Sequence, residues 1–208
     1  MKKLLFTITI LTGLSITIWS CGDSNRTLPY LGQNTIGPNG DTVYHQIPDF
    51  AFVNQDGDTL TQEFFKGKIY IADFFFTTCP TICPIMKTQM LRIHEKFENE
   101  PRLGILSHTI DPRHDSVAVL KKYKDKLGVK DSQWQFVTGE QEKIYEIAQK
   151  SYMVSALEDS TAVDEGGFVH SGAFVLVDQN RRIRGVYDGT KEIEVNKLIK
   201  DIELLLKK

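Results

Sequence analysis

The chain contains a nearly unbroken apolar run from Lys68 to Thr78, made of β-branched, aromatic and aliphatic residues. This pattern is typical of a strand that is covered on both faces in a parallel or mixed sheet. The residues that follow it place Met86, Met90, Ile93 and Phe97 at the i, i+4, i+7 and i+11 spacing of one helix face. The sequence therefore predicts a buried strand, a short junction and an amphipathic helix.

Shorter apolar runs continue the alternation of strands and helices. An Asp-Gly pair at 56–57 predicts a hairpin within residues 47–60, and a helical turn precedes the central strand. Further strands are predicted at 103–110, 133–138, 171–177 and 182–187, with an extended segment at 152–157 and helices at 116–127, 140–150 and 191–208. The predicted fold is α/β, with a central mixed sheet flanked by helices in three layers and the junction loop at the carboxyl end of a central strand, where such sheets bind ligands.

The amino terminus has the pattern of an export signal. Lys2 and Lys3 precede a short apolar stretch that ends at Cys21. This predicts a lipoprotein-type signal peptide at residues 1–20, cleavage before Cys21 and lipid on its thiol; an uncleaved anchor helix is the alternative. Residues 21–46 are rich in Gly, Asn, Thr and Pro and are predicted to be a flexible tether, so that residues 47–208 form the domain on the periplasmic side of a bacterial membrane.

Charge and cysteine content narrow the possible functions. Without Lys2 and Lys3, the 25 basic residues become 23 against 27 acidic ones, a net charge of −4. No basic patch indicates nucleic-acid binding, and that class is excluded. Of the three cysteines, only Cys79 and Cys83 lie in the domain, and an oxidising compartment permits disulfide chemistry there.

The two domain cysteines lie at the junction between strand and helix. A thiol at a helix start is close to unpaired backbone amides and the positive end of the helix dipole, which favour thiolate. Pro84 fits the first helical turn but disfavours helical geometry at Cys83, so we expect both cysteines on a tight loop. A purely structural disulfide is the simpler alternative, although so short a loop gains little stability from closure.

Three segments of the chain carry motifs in a fixed order. They are Phe76–Pro84 with the two cysteines, Ile110–Ser116 with Asp-Pro and a second Asp three residues later, and Phe168–Phe174 with a histidine before a strand. In this order they resemble the Sco (SenC) family of copper-handling proteins of respiratory membranes, which has a thioredoxin-like fold. The resemblance covers residues 47–208.

The resemblance implies that Cys79, Cys83 and His170 bind copper. Two thiolates and an imidazole are a soft, low-coordinate set that suits Cu(I) and can hold Cu(II), whereas structural zinc normally takes a fourth protein ligand. Binding requires reduced sulfurs, so copper loading and disulfide formation exclude each other. Cys79 and Cys83 are therefore also the candidate redox pair.

The implied function is a copper metallochaperone that matures the dinuclear copper centre of cytochrome c oxidase. Its implied partners are the subunit that carries this centre, other copper chaperones and, through the lipid, the membrane. The alternative is a thiol-disulfide oxidoreductase that reduces the cysteines of that subunit or of another chaperone, although Cys79 and Cys83 are one residue further apart than in a Cys-x-x-Cys motif.

Three carboxylates are candidates for supporting the copper ligands. They are Asp111, Asp115 and Asp73, the last lying inside the apolar strand either as a buried group near the thiols or facing a polar cap. Val169 and Thr81 stand where the family often has acidic residues, so the resemblance carries over the ligands but not the family's copper affinity or redox tuning. The remaining histidines are expected in turns or in solvent, and they are His45, His94, His108 and His114.

Overall fold

The computed structural model describes residues 26–159, 161–162, 164 and 166–207. Its strands are β1 (Thr35–Ile36), β2 (Thr42–Val43), β3 (Ala51–Asn54), β4 (Thr59–Thr61), β5 (Ile69–Phe75), β6 (Leu103–Thr109), β7 (Trp134–Thr138), β8 (Ala156–Glu158), β9 (Phe168–His170), β10 (Ala173–Val177) and β11 (Ile183–Asp188). Its helices are α1 (Ile82–Lys96), α2 (Val117–Lys126), α3 (Gln141–Glu146) and α4 (Glu192–Leu206), with a 3-10 turn at Gln62–Phe65 and a π-helical segment at Ile147–Ser151.

The described strands form a mixed seven-stranded sheet in the order β11-β10-β5-β6-β7-β3-β4. The three central strands, β5, β6 and β7, are parallel, and the outer strands pair antiparallel. Every residue of β5 is buried, including Asp73, as its nearly unbroken apolar pattern predicts. Because β5 and β6 are parallel and in register from Ile69 opposite Leu103 to Phe75 opposite Thr109, the loops that follow them lie side by side.

Helices cover both faces of the sheet. The predicted apolar stripe of α1 is buried, and α1 and α4 are joined by contacts such as Lys96 to Glu203 at 2.8 Å. Tyr123 of α2 stacks on Phe75, on the face that α1 also covers. On the opposite face, Tyr152, which follows the π-helical segment, packs against Phe74. The predicted three-layer α/β arrangement is confirmed.

The described part of the predicted tether, from Arg26 onward, packs on the domain. Leu28 is buried, and the Leu31 amide donates to the Ile183 carbonyl at 2.9 Å. The buried guanidinium of Arg184 donates to the carbonyl oxygens of Leu28 and Pro29. We call residues 26–46 the amino-terminal strap. Composition alone indicated a flexible tether. The contacts of the strap use backbone carbonyls and a few isolated side chains, and such contacts leave no apolar pattern in the sequence.

No helix within the described ranges has the length and apolarity needed to cross a bilayer. The predicted signal peptide at residues 1–20 and the predicted lipidation site Cys21 lie outside the described residues.

Candidate functional site

The two domain cysteines meet where β5 ends and α1 begins. Both are buried, with 7% of Cys79 and 2% of Cys83 exposed, and neither forms a disulfide. Cys83 is the second residue of α1, so the expectation that it lies on the loop is wrong. Pro84 follows within the first turn, where its missing amide proton removes no helical hydrogen bond, and the helix tolerates Cys83 before it.

Contact between the thiols governs their chemistry. The pKa of the Cys83 thiol is raised, first by its hydrogen bond with Cys79, then by burial and by the charge of Cys79. Lys87 and the backbone of Phe76 act in the opposite direction. The sequence predicted a lowered pKa from the helix start alone; sulfur-to-sulfur contact and burial reverse this at Cys83. A soft metal ion that binds both sulfurs must therefore displace a proton that the pair retains.

Asp115 holds the loop that leads to the cysteines. Its fully buried carboxylate accepts hydrogen bonds from the Thr77 amide at 3.0 Å, the Thr77 hydroxyl, and the Thr109 hydroxyl at 2.5 Å. The carboxylate thus joins the loop after β6 to the loop after β5. Asp115 contacts the cysteine loop through Thr77, a residue that the sequence analysis did not single out.

Asp111 closes the turn that carries Asp115. Its carbonyl oxygen accepts from the Asp115 amide at 2.8 Å, and its carboxylate accepts from the His114 amide at 3.4 Å. His114 is exposed, as expected for a turn residue. Arg113 extends from the same turn to Glu158 of β8 at 2.5 Å, which connects the turn to the hairpin described next.

The hairpin of β8 and β9 brings the strand of His170 to the cysteine loop. His170 pairs with Ala156, and its side chain lies outside the described part of the structure. Beside it, the Phe168 and Phe76 rings lie 4.8 Å apart. Gly166 has a φ of +74°, and a Cβ added there would lie 3.1 Å from the Phe76 ring. The hairpin therefore packs directly on the residues that precede Cys79.

Asp73 lies in a buried polar cluster that the sequence predicted only in part. Its carboxylate pairs with the Lys87 ammonium at 2.5 Å and accepts from the Ser107 hydroxyl. The Trp134 indole donates to Ser107 at 2.9 Å. A carboxylate inside an apolar strand indicated that a cation lies near it. The sequence did not identify Lys87 as that cation, because Lys87 is not part of the apolar stripe of α1 and therefore looked like a surface residue.

Two histidines depart from the expectation that they lie in turns or solvent. His94 is buried, and its Nε2 lies 2.8 Å from Asp131. His108 is completely buried in β6 between aromatic rings, stacked on Phe74 at 4.8 Å. Burial lowers the pKa of His108 to about 3, against a weaker opposing contribution from the Asp73 backbone. Neither histidine belongs to the cysteine site.

The described side chains contain no group of three His, Cys, Asp or Glu residues placed to hold a metal ion. They do contain two buried thiols in contact, and the strand carrying His170 lies beside the same loop. Two sulfur donors with an imidazole would suit a soft, low-coordinate ion, whereas the two thiols alone suit reversible disulfide formation.

The sequence model of the SCO1/SenC family matches residues 39–207. The chain belongs to the SCO1/SenC family. The SCO1 protein homolog of Bacillus subtilis (strain 168) is 31% identical over 165 residues, covering 78% of this chain and 84% of the relative. A Stutzerimonas stutzeri relative, named as a proposed copper-binding protein, is 28% identical over 141 residues and 67% of each chain.

Solved structures confirm the thioredoxin-like Sco fold. A SCO1/SenC family lipoprotein from Bacillus anthracis str. Ames has a TM-score of 0.71 and 28% identity, covering 78% of this chain and 95% of that one. BsSco, described as a Sco family cytochrome c oxidase assembly protein with a disulfide switch, has a TM-score of 0.68 and 31% identity. That match covers 77% of this chain and 93% of BsSco.

Proposed function

We propose that this SCO1/SenC protein is a copper metallochaperone that binds copper through the sulfurs of Cys79 and Cys83 and the imidazole of His170. It delivers the metal to the dinuclear copper centre of cytochrome c oxidase. The observation that carries the proposal is the packing of the β8–β9 hairpin, which bears His170, against the loop of two reduced and touching cysteines. A dithiol reductase has no need of this third donor.

Burial of the cysteines suits transfer to a protein rather than release into water. Since both cysteines are almost fully buried, the proposed transfer takes place to a partner that docks directly on the site. The proposed partner is the copper-centre subunit of the oxidase, and BsSco is described as an assembly protein of that enzyme. Other copper chaperones are further proposed partners.

The proposed location is the periplasmic side of a bacterial membrane, with lipid on Cys21. This is supported by the charged start and short apolar run before Cys21, and by the lipoprotein nature of the Bacillus anthracis relative. Such an anchor keeps the chaperone beside the membrane in which its partner is assembled.

A Cu(I) competition titration tests the ligand set. The detergent-solubilised full chain carries Cys21→Ser, so that Cys79 and Cys83 are its only thiols, and it competes against a chromophoric chelator after reduction. We expect one equivalent to bind tightly, and His170→Ala to weaken binding by about tenfold or more, the loss seen when metal-site groups are removed. His114→Ala, which removes an exposed histidine from a neighbouring turn, is the matched control and should leave affinity unchanged.

The second candidate is a thiol-disulfide oxidoreductase. It is favoured by the contact between two reduced thiols and by the disulfide switch described for BsSco. The same titration separates the candidates. Unchanged affinity in His170→Ala contradicts the three-ligand site. If the wild-type chain does not compete for copper at all, the pair is a redox dithiol that reduces the cysteines of a partner.

A further inference from the structure

Glu158 of β8 accepts hydrogen bonds from two elements outside its own hairpin. Its Oε2 lies 2.5 Å from the guanidinium of Arg113, in the turn after β6, and 3.3 Å from the side-chain amide of Gln141 in α3. Gln141 also donates to the Tyr145 hydroxyl at 2.7 Å, and this hydroxyl donates to the Ile110 carbonyl at 2.9 Å. The turn and α3 are thus joined to each other, and both contact the same carboxylate of the hairpin.

The turn that carries Arg113 is itself attached to the cysteine loop. The fully buried carboxylate of Asp115 accepts a hydrogen bond from the Thr77 amide at 3.0 Å. Within the turn, the Asp111 carbonyl accepts from the Asp115 amide at 2.8 Å. The same short turn therefore contacts the cysteine loop through Asp115 and the hairpin that bears His170 through Arg113.

The ion pair holds the hairpin close to His170. In the register of β8 and β9, Glu158 lies opposite Phe168, two residues before His170. Two residues of an extended strand span about 7 Å, so the ion pair and His170 are neighbours along the hairpin. On the other side of His170, the Ser171 amide donates to the Ser155 carbonyl at 3.0 Å. His170 therefore lies between a main-chain attachment and a side-chain attachment of the hairpin.

The side-chain attachment is exposed, whereas the carboxylate of Asp115 is not. The side chains of Arg113 and Glu158 are 63% and 47% exposed. Exposed ion pairs contribute little to the free energy of unfolding, because water and salt screen them. Breaking this pair should therefore leave the fold intact and ease only the local separation of the hairpin from the cysteine loop. Such a contact suits a hairpin that opens and closes within a stable domain.

We propose that Arg113 is a positioning residue that holds the β8–β9 hairpin on the cysteine loop through Glu158, and that this contact limits the rate at which copper leaves the site. The inference rests on the proposed function, in which His170 is the third copper ligand. Each opening of the hairpin moves the strand of His170 away from the loop of Cys79 and Cys83, so fewer openings mean slower release.

The first test is a double-mutant cycle on the copper-loaded Cys21→Ser chain, in which transfer of Cu(I) to an excess of chromophoric chelator is followed by stopped flow. We expect Arg113→Gln and Glu158→Gln each to release copper about threefold faster, a modest change because the pair is exposed. The double variant should release copper no faster than either single one. Arg113→Glu combined with Glu158→Arg should return toward the wild-type rate, which a purely structural defect would not do.

Hydrogen exchange of the metal-free chain is the second measurement. The amides of β9 should exchange about threefold faster in Arg113→Gln, whereas the Thr77 amide, which Asp115 holds, should exchange as in the wild type. Lys121→Gln is the matched control, because it breaks another exposed ion pair between two elements, that of Lys121 with Asp56, whose side chains are 50% and 38% exposed. This control should change neither measurement.

The proposal is overturned by any of four results. They are a wild-type release rate in both single variants, additive acceleration in the double variant, unchanged exchange of β9, and an equal acceleration in the Lys121 control. If the wild-type chain binds no copper but β9 shows the expected exchange, the copper function is rejected and the contact between Arg113 and the hairpin is retained.

Discussion

At the scale of single residues, buried polar side chains are where the sequence was least informative. Apolar spacing predicted that Met86 and Met90 would be core residues, and both are fully buried. The same reasoning placed His108 in solvent or a turn, because periodicity does not reveal whether a polar residue in a strand lies among partners or aromatic rings. Asp73 was recognised as unusual, but its partner Lys87 could not be identified from spacing, since the two meet only in three dimensions.

His108 makes the stability of the fold depend on pH. Its pKa is about 3 in the folded chain and about 6.5 in an unfolded one, so the unfolded chain binds the extra proton between these values. The contribution of His108 is fully present above pH 6.5 and is lost, by about 1.4 kcal/mol per unit, as the pH falls toward 3.

Urea unfolding at pH 7 and pH 4.5 measures this effect. We expect His108→Phe to lose less free energy of unfolding between the two pH values than the wild type, by about 3 kcal/mol. The ring nitrogens of His108 make no well-formed hydrogen bond within the described residues, so replacing the ring by phenyl removes none. We therefore also expect His108→Phe to be at least as stable as the wild type at pH 7. His114→Phe, at an exposed position, serves as the control, and an identical pH response in wild type and His108→Phe contradicts the assignment.

At the scale of elements, the sequence predicted the strands of the main sheet and the four helices, but not the short strands β1, β2 and β9 or the contacts between the loops. Asp115 was proposed from the family resemblance as a group near the copper ligands. In the structure its carboxylate contacts Thr77 and Thr109, at the adjacent carboxyl ends of β5 and β6. Parallel register makes such a link possible, but only three-dimensional packing selects Thr77 as the donor.

Asp115→Asn should loosen the cysteine loop without unfolding the domain. The Asp115 carboxylate accepts hydrogen bonds from three donors. The side-chain amide of an asparagine would place its NH2 group opposite one of these donors, and that hydrogen bond would be lost. Losing one charge-assisted hydrogen bond costs about 2 kcal/mol, so the Thr77 amide should exchange with solvent roughly 30-fold faster. Asp111→Asn, in the same turn, should leave that amide unaffected, and equal exchange in wild type and Asp115→Asn would refute the link.

At the scale of the whole molecule, the amino-terminal strap extends the folded unit toward Cys21. The apolar pattern placed the start of the domain at Ile47, because the strap has no hydrophobic period. Its contacts instead rely on Leu28, on carbonyl oxygens bound by Arg184, and on an ion pair of 2.8 Å between Arg26 and Asp201 of α4. If Cys21 carries lipid, few residues separate the membrane from the folded part of the chain.

A chain that begins at Ile47 should therefore be markedly less stable than one that begins at Arg26. Removing the strap exposes the surface that Leu28 covers and leaves the buried Arg184 guanidinium with Asp178 but without its two carbonyl acceptors. A hydrogen bond to a charged group is worth about 1.5–3 kcal/mol, so losing two of them predicts a fall in Tm of roughly 6–24 °C for a domain of this size. Differential scanning calorimetry of the two chains measures the difference, and Leu28→Ala in the longer chain should reproduce part of it. Equal Tm values would show that the strap contributes nothing to the stability of the domain and would restore the tether predicted from composition.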